Sequence, residues 1–447
     1  MTSQPWLSLI LAAGLGTRMK SAMPKVLHPI AGRPMLAYSA AAALEAGAAQ
    51  LGVVVGPDME AARGPLAALT PHAQFFLQQE RLGTAHAVLA ARALLAECRD
   101  DVLILYGDTP LLRAETLNRL RGLLTDSAGV AVLGFEAADP SGYGRLLLDK
   151  QGRLEAIREE KDASDAERAL TLCNSGVMAF RAGLILPMLE RIGNDNAKGE
   201  YYLTDAVGLA RSDGLSVGVV ICDEEEVAGV NDRVQLARTE ALMQARLRAA
   251  AMHSGTTMIA PETVTMSYDT RLGQDVVIEP NVFFGPDVTV EDDAEIKANC
   301  YMEQAHIGKG AIVGPFARLR PGARIGPGAK IGNFVEVKNA TVEAGAKVNH
   351  LAYVGDARVG AEANLGAGTI VCNYDGFAKH FTDIGEKAFV GSNSALVAPV
   401  KIGDGAYIAT GSVITDDVES DALAFGRARQ VVKPGRAAQK RTAMRKK

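Results

Sequence analysis

A period of six governs the second half of this chain. From Leu272 onward an aliphatic residue, often followed by Gly, returns every six positions, most clearly as IGKGAI VGPFAR LRPGAR IGPGAK IGNFVE over residues 307–336. An amphipathic helix repeats its apolar positions at three and four residues and a half-buried strand at two, so a strict six belongs to neither. It fits a solenoid in which each hexad supplies a short strand and a tight turn. The aliphatic side chain points inward, and Gly is expected to take the corner where φ is positive.

The inward positions run Leu272, Ile278, Phe284, Val290 and Ile296, and the phase slips at Ile307, Val342 and Val359, each slip leaving a five-residue step. After Leu365 the segment VCNYDGFAKHFTD, residues 371–383, interrupts the repeat, which resumes at Ile384, Val390, Leu396, Ile402, Ile408 and Ile414. Resumption in phase marks the interruption as an ejected loop, tolerated because each coil touches only its neighbours. Three hexads per coil give roughly eight coils, about 40 Å at a strand spacing of about 4.8 Å. The pattern matches the hexapeptide-repeat left-handed parallel β-helix.

A chain of 447 residues that is 48% hydrophobic and 22% charged has room for a second domain beside the solenoid. The net charge of -5 argues against a nucleic-acid partner. Cys98, Cys173, Cys222, Cys300 and Cys372 are scattered without a CxxC pair, which suggests neither a disulfide framework nor a zinc site and points to a reducing cytoplasm. Neither a cleavable signal nor a membrane-spanning apolar run is recognisable.

The first half alternates strand-like and helix-like segments, as an α/β Rossmann-like sheet requires. Strands are expected at WLSLILAA, QLGVVVG, AQFFLQ, DVLILYG, GVAVLGF, SGVMAFR and SVGVVI. The domains are expected at residues 1–230 and 254–447. Between them residues 231–253 read as one linker helix, capped by Asn231 or Asp232 and ended near Gly255. The basic tail after Pro434 reads as a solvated, partly disordered end.

The first chemical motif is LAAGLGTRM followed by PK, over residues 11–25. Backbone N–H groups of Leu11, Ala12, Ala13 and Gly14 can approach phosphates, with Arg18 and Lys25 adding positive charge. It is neither a dinucleotide fingerprint nor a P-loop, and glycines at a strand end also serve as plain turns. The whole string resembles the signature of the sugar-1-phosphate nucleotidylyltransferases. That resemblance implies that Gln78, Gly83 and Thr84 contact uracil, and that Tyr106, Gly107 and Asp108 close the nucleotide site. It also implies that Asp108 and the Asn231 of GVNDR hold Mg²⁺, and that Gly144, Glu159 and Asn174 bind the sugar and its phosphate. Singly, Asp108 can be a turn acid, Asn231 a helix cap and Glu159 a solvated charge; six motifs in order across one domain favour the functional reading.

On the β-helix, coils stack residues about 18 apart, so Arg320 and Lys338 are expected as a cationic pair suited to a phosphomonoester. His350 lies outside the aliphatic positions and should face outward, where a neutral imidazole can accept a proton. The series NHLAYVGD, NLGAGT and CNYDG resembles the acetyltransferase half of the bacterial bifunctional N-acetylglucosamine-1-phosphate uridylyltransferase/glucosamine-1-phosphate N-acetyltransferases, and the resemblance extends over essentially the whole chain. It implies that Arg320, Lys338, Tyr353 and Asn364 hold glucosamine 1-phosphate and that His350 is the base. It further implies that Ala367, Asn373, Tyr374, Ser392, Thr410 and Arg427 bind acetyl-CoA or complete its site, Thr410 standing where Ala is common. A homotrimer with shared acetyl-transfer sites is implied as well, joining N-acetylglucosamine 1-phosphate to UTP in the supply of peptidoglycan and lipopolysaccharide. The alternatives are a nucleotidylyltransferase with a regulatory β-helix, against which His350 and the NYDG loop speak, and a non-catalytic assembly subunit, against which GLGTRM, PK and Asp108 speak.

Overall fold

The computed structural model of the chain describes residues 5–57 and 59–445, which form two compact units, Met1–Ala245 and Arg246–Lys447. In the first unit nine strands form one sheet: β1 Trp6–Ala12, β2 Ala48–Val55, β3 Gln74–Leu77, β4 Asp101–Tyr106, β5 Ala128–Glu136, β6 Arg145–Leu148, β7 Leu154–Arg158, β8 Leu172–Phe180 and β9 Ser216–Cys222. The main path is β9-β5-β8-β4-β1-β2-β3, with β6 and β7 as a hairpin beside β8. β8 runs antiparallel to β4 and β5, while β4, β1, β2 and β3 are mutually parallel. β1 is buried at every residue, as expected of a strand covered on both faces.

All seven strands read from the sequence are present. β6 and β7 were not foreseen, because RLLL and LEAIR are short and carry no clean alternation. They matter because Gly144 precedes β6 and Glu159 follows β7. The linker helix is Arg233–His253, and the division between the units falls inside it. Asp232 is its cap: Oδ1 accepts from the N–H of Val234 and of Gln235, both at 2.9 Å. Asn231 is thereby released from capping. At the other end the N–H of Thr256 reaches Ala251 O and that of Gly255, at φ 103°, reaches Met252 O, the Schellman pattern.

In the second unit every inward position from Ile278 to Ile414 is buried, and burying each such side chain is worth about 1.5–3 kcal/mol. One face of the prism is a ten-stranded parallel sheet from Thr257–Met258 to Leu423–Ala424, about 43 Å long at the usual strand spacing. The solenoid therefore starts before Leu272. Met258 and Met266 fill its first coil, but the turn Pro261–Thr263 stretches the step between them and hides the period.

Two further expectations are corrected. Glycine directly after the aliphatic residue supplies positive φ at Gly314, φ 97°, but not at Gly308, Gly326, Gly385 or Gly403: a Cβ on Gly308 would lie 2.9 Å from Gly326 of the next coil, so close backbone approach demands it. The left-handed residue comes two places later, as Gly310 and Gly328 but also as Asp275, Asp293 and Lys387. The tail, expected as partly disordered, carries an exposed helix, Arg436–Arg445.

From Met302 onward the irregularities of the repeat share one corner. The three five-residue steps, 302–307, 337–342 and 354–359, turn there on Gln304 at φ 44°, Asn339 at φ 44° and Asp356 at φ 47°. In the last two the strand continues around the bend, as Glu336–Val342 and Tyr353–Val359. The ejected loop leaves from the same corner one coil later, between Val371 and Thr382; Thr382 pairs with Ala357 beside Asp356, and Val371 with Leu396 of the following coil.

Candidate active sites

β1 and β4 lie side by side with Leu11 opposite Tyr106, so their carboxyl ends open on one crevice, the usual ligand position of an open α/β sheet. A cavity of about 310 Å³ sits there, lined by Leu11, Ala12, Ala13, Gly14, Lys25, Gln78, Gly83, Thr84, Tyr106 and Asp108 among the residues expected from the sequence. Gly16, at φ 62°, has no room for a side chain, because a Cβ would come 2.5 Å from that of Lys25. That contact lays the Lys25 stem along the loop and directs its ammonium to the Asp108 carboxylate, with which it forms an ion pair. The same ammonium donates to Asn231 Oδ1 at 3.1 Å, and the N–H of Val230 donates to Asp108 O at 3.0 Å. Two oxygens far apart in sequence thus converge on one cation.

Gln78 is buried and its Nε2 donates to Gly83 O at 3.3 Å. Gly83, at φ 114°, would drive a Cβ to 2.5 Å from Tyr201 O, and the Thr84 hydroxyl accepts from the N–H of Leu203 at 2.9 Å. Burial, then Asp108 and Glu159, push the Tyr106 phenol up, so it stays neutral and can donate. Gly144 and Asn174 are joined by the bond from Asn174 N–H to Gly144 O, 2.8 Å, and Glu159 Oε1 accepts from the Thr204 hydroxyl at 3.2 Å. Burial raises the Glu159 pKa. These three residues, with Gly107 and Asn231, stand outside the cavity wall. Arg18 is exposed in the turn Thr17–Met19 and is not brought to the wall either. Arg81, which the sequence reading passed over inside QQERLGTAHA, lines the cavity and donates from Nε to Ala13 O at 2.6 Å.

On the β-helix, His350 is exposed and its Nδ1 lies 2.6 Å from Asn333 Oδ1, its register partner one coil earlier. An amide oxygen can only accept, so this contact selects the tautomer protonated on Nδ1, in which a neutral ring keeps its lone pair on Nε2. The expected Arg320 and Lys338 pair is modified by a third partner: the Arg320 guanidinium reaches Glu336 Oε1 at 2.7 Å. Lys338 meets a cation the sequence reading missed, Lys379 of the ejected loop, whose ammonium is the first cause lowering the Lys338 pKa. Only the three-dimensional course of the loop brings Lys379 there.

Tyr353 lies in the same column as Glu336, whereas Asn364 lies on the ten-stranded face between Lys347 and Phe389. Ala367, Ser392 and Thr410 climb one corner: the N–H of Asn393 donates to Ala367 O at 2.8 Å, and the N–H of Gly411 to Ser392 O at 2.8 Å. Arg427 follows Gly426, which bonds Val413 at the end of the neighbouring column. Tyr374 is exposed, whereas Asn373 is buried with its amide committed to Asp356. The sequence-derived set therefore spreads over two faces and two corners of the prism.

The family description of the MobA-like NTP transferase domain matches residues 8–172, and that of the bacterial transferase hexapeptide matches residues 304–339 and 381–416. The Bifunctional protein GlmU of Azorhizobium caulinodans is 61% identical over 443 residues, 99% of each chain. The protein of the same name from Bradyrhizobium sp. is 58% identical, also over 99% of each chain, and that from Xanthobacter autotrophicus 59% identical over 97% of each. Matched at this identity along almost its whole length, with a nucleotidyltransferase crevice and a hexapeptide β-helix on one polypeptide, the chain belongs to the family of the bifunctional GlmU proteins.

Proposed function

We propose that this protein makes UDP-N-acetylglucosamine in two steps, each on its own unit: acetyl transfer from acetyl-CoA to glucosamine 1-phosphate on the β-helix, then uridylyl transfer from UTP in the α/β crevice. Membership of the family makes the chain a bifunctional uridylyltransferase and acetyltransferase. The observation that carries the first-unit assignment is the convergence of Asp108 and Asn231 on one cation, the Lys25 ammonium.

A sugar phosphate is already an anionic nucleophile and needs no base. It must be aligned with the α-phosphorus of UTP while charge is neutralised and pyrophosphate departs. Lys25 and the N–H groups of residues 11–14 meet the phosphates, Gln78, Gly83 and Thr84 the base, and Gly144, Glu159 and Asn174 the sugar. Mg²⁺ suits an oxygen pair of one carboxylate and one amide, and when bound it supplies Lewis-acid neutralisation of phosphate charge. Asp108 and Asn231 would hold it, with Lys25 turned to the phosphates.

On the β-helix the sugar amine attacks the thioester carbonyl, His350 Nε2 accepts its proton and the thiolate of CoA leaves. Arg320, Lys338 and Lys379 supply positive charge for the sugar phosphate, near Tyr353. Asn364 lies on another face, so one chain does not close the site around the substrate; a homotrimer in which a neighbouring copy completes it fits this division. Three stacked aromatic pairs on the outside of the prism, Phe283 with Tyr301, Phe316 with Phe334 and Phe389 with Tyr407, offer the apolar surface for such packing. Among the described residues no helix is long and apolar enough to cross a membrane. The test is to supply glucosamine 1-phosphate, acetyl-CoA, UTP and Mg²⁺ to the purified protein: UDP-N-acetylglucosamine is expected, and its absence would overturn the proposal.

A further inference from the structure

The corner of the five-residue steps and the ejected loop holds a buried carboxylate to which neither reaction step above assigns a role. Asp356 is 9% exposed at φ 47°, a left-handed conformation that Asp and Asn tolerate better than other side chains. Its Oδ1 accepts from Asn339 Nδ2 at 2.6 Å, one coil before, and its Oδ2 accepts from Asn373 Nδ2, one coil after. Asn373 is where the chain leaves the prism, and its carbonyl takes the N–H of His380 at 2.8 Å, closing the loop on itself. Gly355 is part of the same arrangement: a Cβ there would meet Tyr353 Oη at 2.3 Å and Asn373 Nδ2 at 2.9 Å. The carboxylate is thus the fixed point from which the loop, and Lys379 on it, is hung.

Its charge matters as well as its shape. Burial raises the Asp356 pKa, but the two amide donors and the nearby Lys338 and Lys379 ammoniums outweigh it and hold the carboxyl below the usual range. Lys338 and Lys379 repel one another. A buried anion beside both offsets that repulsion and lets two cations remain at one place.

We infer that Asp356 is a positioning residue of the acetyl-transfer site, which anchors the loop of residues 371–383 and holds Lys379 next to Lys338 so that both meet the phosphate of the sugar substrate. This rests on the acetyl-transfer reading above. The test is a double-mutant cycle on the full-length protein with Asp356→Asn, which keeps the backbone conformation but loses the charge and one acceptor, and Lys379→Met. Each single variant is expected to raise KM for glucosamine 1-phosphate about tenfold with kcat nearly retained, the loss of one charge-assisted contact. The double variant is expected to be no worse than Lys379→Met.

An unchanged KM in Asp356→Asn, or additive effects near a hundredfold in the double variant, would overturn the inference. So would a loss confined to kcat, the mark of a merely structural role. Should Asp356→Asn fail to fold its β-helix, the exposed Lys379→Met decides alone, and a normal KM there sinks the idea. Absence of acetyl transfer in the unmutated protein would instead overturn the functional reading.

Discussion

In the first unit ten of the residues singled out from the sequence line one cavity, although they come from four separate stretches of chain. In the β-helix the singled-out residues keep their sequence order along the prism and are spread over more than one of its faces. A twisted sheet opens crevices where strand ends meet loops, so one chain can surround a ligand. A solenoid buries its aliphatic row and turns its polar residues outward in columns, so a neighbour or an ejected loop helps it to surround a ligand. Insertions tell the same story. The sheet unit carries its motif glycines within short strand-end loops, while the solenoid sends out residues 371–383 at a corner.

The contrast can be broken most severely by separation. A fragment of residues 1–253, ending where the linker helix ends, is expected to retain uridylyl transfer and to have no acetyl transfer at all. A folded fragment that cannot turn over N-acetylglucosamine 1-phosphate with UTP would show that the crevice is not self-sufficient. Next comes His350→Ala. Loss of the general base should lower acetyl transfer about 10²- to 10⁴-fold while uridylyl transfer and oligomer size persist. A trimeric variant with full acetyl transfer would remove His350 from the chemistry, and a variant that also loses its oligomer would make the residue structural.

Asp108→Ala should lower uridylyl transfer by about 10²- to 10³-fold, the scale of removing one electrostatic element from a preorganised site, and leave acetyl transfer intact. Equal loss of both activities would signal misfolding rather than metal or lysine placement. The smallest effect is a pH dependence confined to the first unit. Burial, and then the Arg233 guanidinium, hold the His28 pKa below its ordinary 6.5. The unfolded chain then binds a proton that the folded one refuses, so stability present above about pH 6.5 is lost as the pH falls through the window down to the folded value. His28→Gln should flatten the fall in thermal midpoint of the first unit between neutral and mildly acidic pH, and an unaltered slope would acquit His28.

The legibility of the two units differed for a physical reason. A repeat announces its fold because each inward residue faces the same environment as the one six places on, and the burial of every position from Ile278 to Ile414 follows from that periodicity alone. Where the geometry was less repetitive, the reading slipped: the turn Pro261–Thr263 concealed the first coil, and the hairpin β6–β7 passed unnoticed although it flanks Gly144 and Glu159. The glycine motif and Asp108 were legible because a strand followed by glycines, and an acid closing an apolar strand, each have a local signature. Lys379 and Arg81 had none, being ordinary cations in segments whose importance lay elsewhere.

Asn231 shows where the division lies. From sequence it could be a cap or a ligand, and the two roles compete for the same side chain. The structure removes the cap reading: Asp232 takes the cap with two bonds of 2.9 Å and the Val230 N–H bonds to Asp108, leaving the Asn231 amide to meet Lys25. Periodicity and residue type, being local, determined by themselves the solenoid, the sheet and the classes of chemistry available. Which cations stand together, which carboxylate is paired and which asparagine is free depend on side chains 83 or 206 positions apart reaching one ammonium, and that is decided only by the folded chain.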